Sequence, residues 1–295
     1  MIRKIFLIVG ENFSGWHRNV RIWLTFAFGL VLCLMLSEQM LSRAQTYETP
    51  IQMFEPFIWT FGNGQSVLLS TLLLLILFAD MPFFDQTAPY RLVRMERGIW
   101  LAGQVLYVTL AVAVYDLFLL IAEALIALPF AYGGNVWSET SAAFAYSGEG
   151  LLGVPVSLKT MEISTPYGCM AQVFLLMLLY SLFLASLMLF LNLTWGNAAG
   201  VLGALLVNLY GYLLDPELIR QIFHIPSGVL YRANVLCGWL SPLNHATFPM
   251  HNFGYDYLPG IGVSAGFFLV CTGLFLGLSV SRMRKYNFIF AQVEE

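Results

Sequence analysis

The residues best able to do covalent chemistry lie near the end of the chain. Gly262-Val263-Ser264-Ala265-Gly266 has the spacing of a nucleophile elbow, and His245, His251 and Asp256 precede it. In acyl transfer such a serine attacks a carbonyl, a histidine takes its proton and an acid orients the histidine. The elbow needs a strand-to-helix turn around the serine. Here the serine opens an apolar run rich in small residues, where the match arises by chance. The two histidines with Asp256 could also hold an outer metal, but their spacing fits no common metal motif, and no His-Glu-x-x-His occurs. Gly10 and Gly15 have the glycine spacing of a phosphate loop, but Trp16-His17 stands where Lys-Ser or Lys-Thr is required. The chain therefore has no P-loop of its own for ATP. Cys33, Cys169, Cys237 and Cys271 lie far apart, with no Cys-x-x-Cys.

A second group of polar residues sits inside apolar runs. Asp116 and Glu123 are seven residues apart, hence on one helix face, and Thr109 continues that series. Acids in such a setting cost several kcal/mol and face a cavity or a partner. They are either the polar wall of a translocation path or structural carboxyls bonded to a neighbour. Asn208 is a further candidate for the path, and Gln104 and Gln172 read as interhelical hydrogen-bonders.

What must position these residues follows from composition. Hydrophobic residues make up 59% of the 295-residue chain and charged residues 11%. Soluble domains carry about 25% charge, so most of this surface must meet lipid. That excludes a cytosolic enzyme, a secreted disulfide scaffold and a disordered regulator. The net charge of −3 and the lack of a dense basic run argue against nucleic acid as a partner.

Stretches free of charge, or nearly so, give six helical spans, at about residues 20–41, 56–79, 98–128, 168–193, 197–214 and 261–281, within one transmembrane domain covering 1–295. Residues 163–214 hold no charge, and a single helix of that length would run about 78 Å against a core of about 30 Å. The run must fold back, and the polar, glycine-containing segment 192–197 is the break. Period-two alternation is missing, so a barrel is disfavoured.

With the N-terminus inside, Arg3, Lys4, Arg18, Arg21, Arg91, Arg94, Arg97, Arg282, Arg284 and Lys285 are cytoplasmic, ten of the fourteen basic residues. Lys/Arg bias therefore predicts both termini inside. Residues 1–20 read as an interfacial helix, with Ile2, Ile5, Phe6, Val9, Phe13 and Trp16 near helical spacing. The apolar run at 5–9 is too short for a signal peptide. Segment 80–97 is a cytoplasmic connection with a helix start at Thr87 and Pro89 and arginines at 91, 94 and 97. Apolar, proline-punctuated residues 215–258 predict short outer helices that dip back before the last span. Cys169 and Cys237 both fall on the outer side and could form a disulfide if their Cα atoms approach within about 7 Å. Gly262, Gly266, Gly273 and Gly277 share a helix face suited to close packing, as do Gly196 and Gly200.

The arrangement resembles the ABC-2 type permeases, the membrane subunits of bacterial ABC exporters. Its local carriers are residues 83–97, from Phe83-Phe84-Asp85 through Pro89-Tyr90-Arg91 to Arg94-Met95-Glu96-Arg97, followed by Trp100 and Gln104, with Leu240-Ser241-Pro242-Leu243 outside. The resemblance implies an all-α membrane fold and a multi-pass location in the bacterial cytoplasmic membrane. It implies that Asp85, Tyr90, Arg91, Arg94, Glu96 and Arg97 belong to a coupling helix docking on a separate ATPase subunit. That partner would bind ATP and magnesium, this chain binding no cofactor and catalysing nothing itself. The lipid bilayer and a second permease copy or paralogue are the other expected partners. An amphipathic or hydrophobic cargo (peptide, antibiotic or lipid-like) fits the scarcity of intramembrane charge. A polytopic membrane enzyme, or an accessory or sensor subunit with no path of its own, is the alternative.

Overall fold

The computed structural model describes residues 2–82, 96–147, 156–254 and 256–285. Asp85, Tyr90, Arg91 and Arg94 lie outside the described residues.

The chain is almost wholly helical. Helix α1 (Ile2–Ser14) buries Ile8 and Val9 and turns Ile2, Phe6 and Leu7 outward. A 3-10 turn at Trp16–Arg18 leads into α2 (Val20–Tyr47), where the Asn19 side chain accepts the Arg21 amide at 3.1 Å. That bond satisfies one of the otherwise unpaired N-terminal amides. The next apolar run is not the straight span expected over 56–79. It forms α3 (Glu55–Phe61) and α4 (Gly64–Leu77), bent by 86°. The cause is local: the Gly62 amide closes α3 on the Ile58 carbonyl at 2.8 Å, and Asn63 turns extended and caps α4 through the Gln65 amide. Hydropathy does not register such a break, because the run from Pro56 to Ala79 holds no charge on either side of it.

Helix α5 (Arg97–Ala127) carries both acids of the third span. A two-residue parallel pairing of β1 (Ile51–Gln52) with β2 (Ala131–Tyr132) ties the start of α3 to the end of α5. Short helices α6 (Glu139–Ser147) and α7 (Leu158–Ile163) precede α8 (Pro166–Trp195). Gly196 breaks the long uncharged run with φ of 98°, a conformation that favours glycine, and α9 (Asn197–Leu213) follows. Helix α9 then turns by 83° into α10 (Pro216–Ile222). Helices α11 (Leu230–Leu240) and α12 (Pro242–Ala246) and a 3-10 turn at Phe248–Met250 build a cap before α13 (Ile261–Lys285).

Four helices among the described residues are long and apolar enough to cross a membrane, or up to six if each bent pair counts as one span. Helix α8 is the axis: in its most apolar stretch 72% of residues are buried, against 11% in α13. It packs on α9, α13, α5 and α3, and on α12 of the cap. Outward faces of α2, α9 and α13 carry bare Leu, Val and Phe side chains, as lipid-facing surfaces do. The α13 glycines are on such open faces: a Cβ at Gly262, Gly266, Gly273 or Gly277 would meet nothing within 4 Å. Gly200 behaves as a packing glycine, with its Cα against Asn192 and the Met188 carbonyl of α8.

Candidate functional site

Three buried polar clusters stand out, two within the spans and one where the cap meets the last span. The first runs along α5. Asp116 Oδ1 accepts from Ser181 of α8 at 3.4 Å, and Oδ2 has no partner among the described residues. One heptad on, Glu123 accepts from Ser37 of α2, and its Oε1 likewise has no partner among them. Cys33 of α2 donates to the Leu119 carbonyl beside it. Both acids are fully buried by protein. Thr109 of the same heptad series is exposed and bonds back to the Val105 carbonyl. The straight-helix stripe drifts about 20° per heptad, and the shared face ends before Thr109.

The second cluster centres on Asn208 of α9. Its Oδ1 accepts from Thr71 of α4 at 3.0 Å and from Tyr180 of α8 at 2.8 Å, and its Nδ2 donates to the Ala204 carbonyl. Tyr115 of α5 donates to the Ser70 carbonyl of α4 at 2.8 Å. Four helices are thus joined by side-chain hydrogen bonds in the apolar interior. Asp116, Glu123 and Asn208 belong to adjoining knots, all closed to water in this conformation.

The third cluster is at the cap. Ser264, in the first turn of α13, has His245 Nδ1 at 2.8 Å and His251 Nε2 at 2.9 Å. His245 comes from α12, started by the Ser241 side chain capping the Asn244 amide at 3.2 Å, and stacks on Phe267 with ring centroids 4.9 Å apart. His251 follows the Phe-Pro-Met 3-10 turn. Burial holds both imidazoles below their usual range. Asp256 is not part of the group; it pairs with Lys159. His245, His251 and Ser264 do come together, but their geometry departs from that of an acyl-transfer triad. Ser264 is buried on a helix, its amide is spent on the Gly260 carbonyl, and both histidines lean on backbone carbonyls instead of a carboxylate. Among the described residues no group of three metal-ligating side chains forms.

The remaining sequence candidates sit apart from these clusters. Glu96 precedes α5, and Arg97 donates through Nη1 to the Arg284 carbonyl at 2.9 Å, joining the starts and ends of two long helices. Arg21 pairs with Asp80 nearby in the fold's first half. Cys169 and Cys237 do not form a disulfide. Both are free thiols, Cys169 in the main core and Cys237 in a separate small cluster with Ile219 and Ala233, where its thiol donates to the Leu214 carbonyl at 2.7 Å.

Glu55 was not singled out by the sequence. It is fully buried at the head of α3 and accepts from the Ser138 amide at 2.7 Å, the Ser138 hydroxyl at 2.5 Å and the Gln52 amide at 3.2 Å. Its only local signal is an acid directly before Pro56 at the head of an apolar run. The Ser138 partner, 83 residues away, has none.

A groove of about 350 Å³ opens between the 3-10 turn and α2, lined by Phe13, Trp16, His17, Ile22, Trp23 and Phe26. It is almost entirely aromatic and apolar.

No protein-family model, curated protein or solved structure matches this chain.

Proposed function

We propose that this chain is the membrane-spanning permease subunit of an ABC exporter, working with a separate ATPase. The observation that carries the reading is the order of parts around α8. An amphipathic α1 with an apolar outer face docks on α5, and a folded cap of short helices immediately precedes the last long helix. In this reading the bent pair α3–α4 forms the second span and α9 the fifth, with α10 among the outer short helices, giving six, and both termini face the cytoplasm. The connection carrying Asp85, Tyr90, Arg91, Arg94, Glu96 and Arg97 meets the ATPase, which binds ATP and magnesium. The uncovered faces of α2 and α13 suit contact with lipid and with a second permease copy or paralogue.

Asp116, Glu123 and Asn208 are the polar residues of the closed path. Opening it would exchange their hydrogen bonds within the bundle for contacts with an amphipathic or hydrophobic cargo. The cell membrane of a bacterium is the proposed location.

The test is purification of the intact complex from the native membrane. A Walker-containing ATPase should co-purify in a fixed ratio, and amphipathic cargo should raise its ATP turnover. A chain that purifies without any ATPase would leave the sensor or membrane-enzyme reading.

A further inference from the structure

The His245–Ser264–His251 group is short of one proton, and its geometry specifies where that proton goes. Four ring nitrogens are engaged at once. His245 Nε2 faces the Trp239 carbonyl at 3.1 Å and His251 Nδ1 faces the Thr247 and Phe248 carbonyls at 3.0 and 3.1 Å. Carbonyl oxygens only accept, so each of these nitrogens must carry its ring's hydrogen. In two neutral imidazoles, that leaves His245 Nδ1 and His251 Nε2 as lone pairs. Both face the same hydroxyl, Ser264 Oγ, at 2.8 and 2.9 Å. Serine has one hydrogen to give. It can donate to one ring, and the other contact then sets lone pair against lone pair. Exchanging tautomers only moves the conflict to a carbonyl.

We propose that these three residues form a proton-binding site that latches the cap onto the last span. One proton taken up from water converts one ring to imidazolium. That ring donates to Ser264 Oγ, and Ser264 donates to the other ring. All four ring nitrogens are then satisfied, and a charge-assisted bond replaces a repulsive one. Without the proton, one of the two ties from cap to α13 opens. The site is built for this role by its position: His245 and His251 lie on α12 and the adjoining turn, while Ser264 is the third residue after Ile261 at the start of α13.

Few other groups could supply or steal the charge. The elements packed on the cap carry Tyr167, Cys169 and Tyr180 in α8, Tyr210 and Tyr212 in α9, Tyr231, Arg232 and Cys237 in α11, and Cys271 with the far-end Arg282, Arg284 and Lys285 in α13. None bonds to either ring among the described residues, and Lys159 and Asp256 pair with each other at the cap edge. The ionisable neighbour acting on His251 is His245. Burial opposes charge on both rings, so the latch closes on the acid side of neutrality and binds one proton, not two.

The experiment uses the full chain in lipid nanodiscs, with His17 and His224 changed to Gln and the remaining histidines labelled with nitrogen-15. On acidification one imidazolium per chain should form, shared between two coupled rings. In Ser264→Ala the affinity for that proton should fall about tenfold or more, the loss expected for a charge-assisted bond. In parallel, at a fixed acid pH where the proton is bound, amide exchange over residues 242–251 should be about tenfold slower in the unsubstituted chain than in Ser264→Ala. His251→Gln offers a permanent N–H to Ser264 and should make that protection independent of pH; it also serves if the alanine variant does not fold. Both rings staying neutral wherever the chain is folded would overturn the proposal. So would independent titration of the two rings with unchanged midpoints in Ser264→Ala, or protection in His251→Gln that keeps the original pH dependence.

Discussion

Ser181 of α8 holds one oxygen of Asp116 at 3.4 Å, while the other oxygen has no partner among the described residues, although both residues are fully buried. No cation among the described residues pairs with this carboxyl, so its contribution to stability is small or negative. Asp116→Asn keeps an acceptor for Ser181 and removes an ionisable group. It should fold with at least the original yield and thermal midpoint. Asp116→Leu strands the Ser181 hydroxyl and should cost about 1–2 kcal/mol. Thermal unfolding of the purified variants measures both, and an Asn variant less stable than the Leu variant would refute the assignment.

Asn208 holds three helices through Thr71 and Tyr180. Asn208→Leu leaves the Tyr180 hydroxyl without its acceptor in the interior and removes the tie to Thr71, whose hydroxyl keeps the Val67 and Leu68 carbonyls. Membrane hydrogen bonds contribute about 0.6–1.7 kcal/mol each, so a loss of about 1–3 kcal/mol is expected. Thr71→Val should cost less, because Tyr180 still reaches Asn208. Denaturant unfolding of the two variants gives the order, and equal losses would show that Asn208 is not the hub.

Close approach of α1 to α5 depends on Gly103. A Cβ there would lie 2.8 Å from Ile8 Cβ and Cδ1. Gly103→Leu should push α1 off α5 and break the 2.8 Å bond from Trp16 Nε1 to the Tyr107 hydroxyl. Overpacking of this kind costs about 1–3 kcal/mol. Limited proteolysis should cut residues 2–19 several-fold faster in the variant, and an unchanged rate would place α1 elsewhere.

Acid stability tests the cap. Burial holds His245 and His251 below the ordinary imidazole range. The unfolded chain therefore binds more protons in acid, and stability is full above about pH 6.5 and declines as pH falls below it. A proton shared through Ser264 offsets part of that decline. Ser264→Ala should lose thermal midpoint more steeply than the unsubstituted chain between about pH 7 and 5. Parallel curves would count against a bound proton.

Coupling to an ATPase is tested at the connection before α5. Arg91→Glu with Arg94→Glu should leave membrane insertion intact and lower cargo-stimulated ATP turnover at least tenfold. The measurement is turnover by the assembled complex. Normal coupling in that variant would remove the proposed docking role.

Hydropathy alone determined that the chain holds several helices long and apolar enough to cross a membrane, their approximate positions and the break near Gly196. These are local properties. An uncharged run of about 20 residues must be helical in lipid because each backbone group needs a partner within the segment, and a glycine at positive φ marks its own turn. Two of the prolines through 215–258 likewise announced short helices, since they sit at the first turn of one: Pro216 in α10 and Pro242 in α12. Tertiary structure decided which polar groups meet. Thr71 and Asn208 are 137 residues apart, Glu55 and Ser138 83 apart, and Lys159 and Asp256 97 apart. Nothing in the spacing of Ser264, His245 and His251 distinguished an acyl-transfer triad from a proton site. The difference lies in what stands behind each ring: Asp256 is drawn away to Lys159, backbone carbonyls take its place, and a carbonyl can only accept.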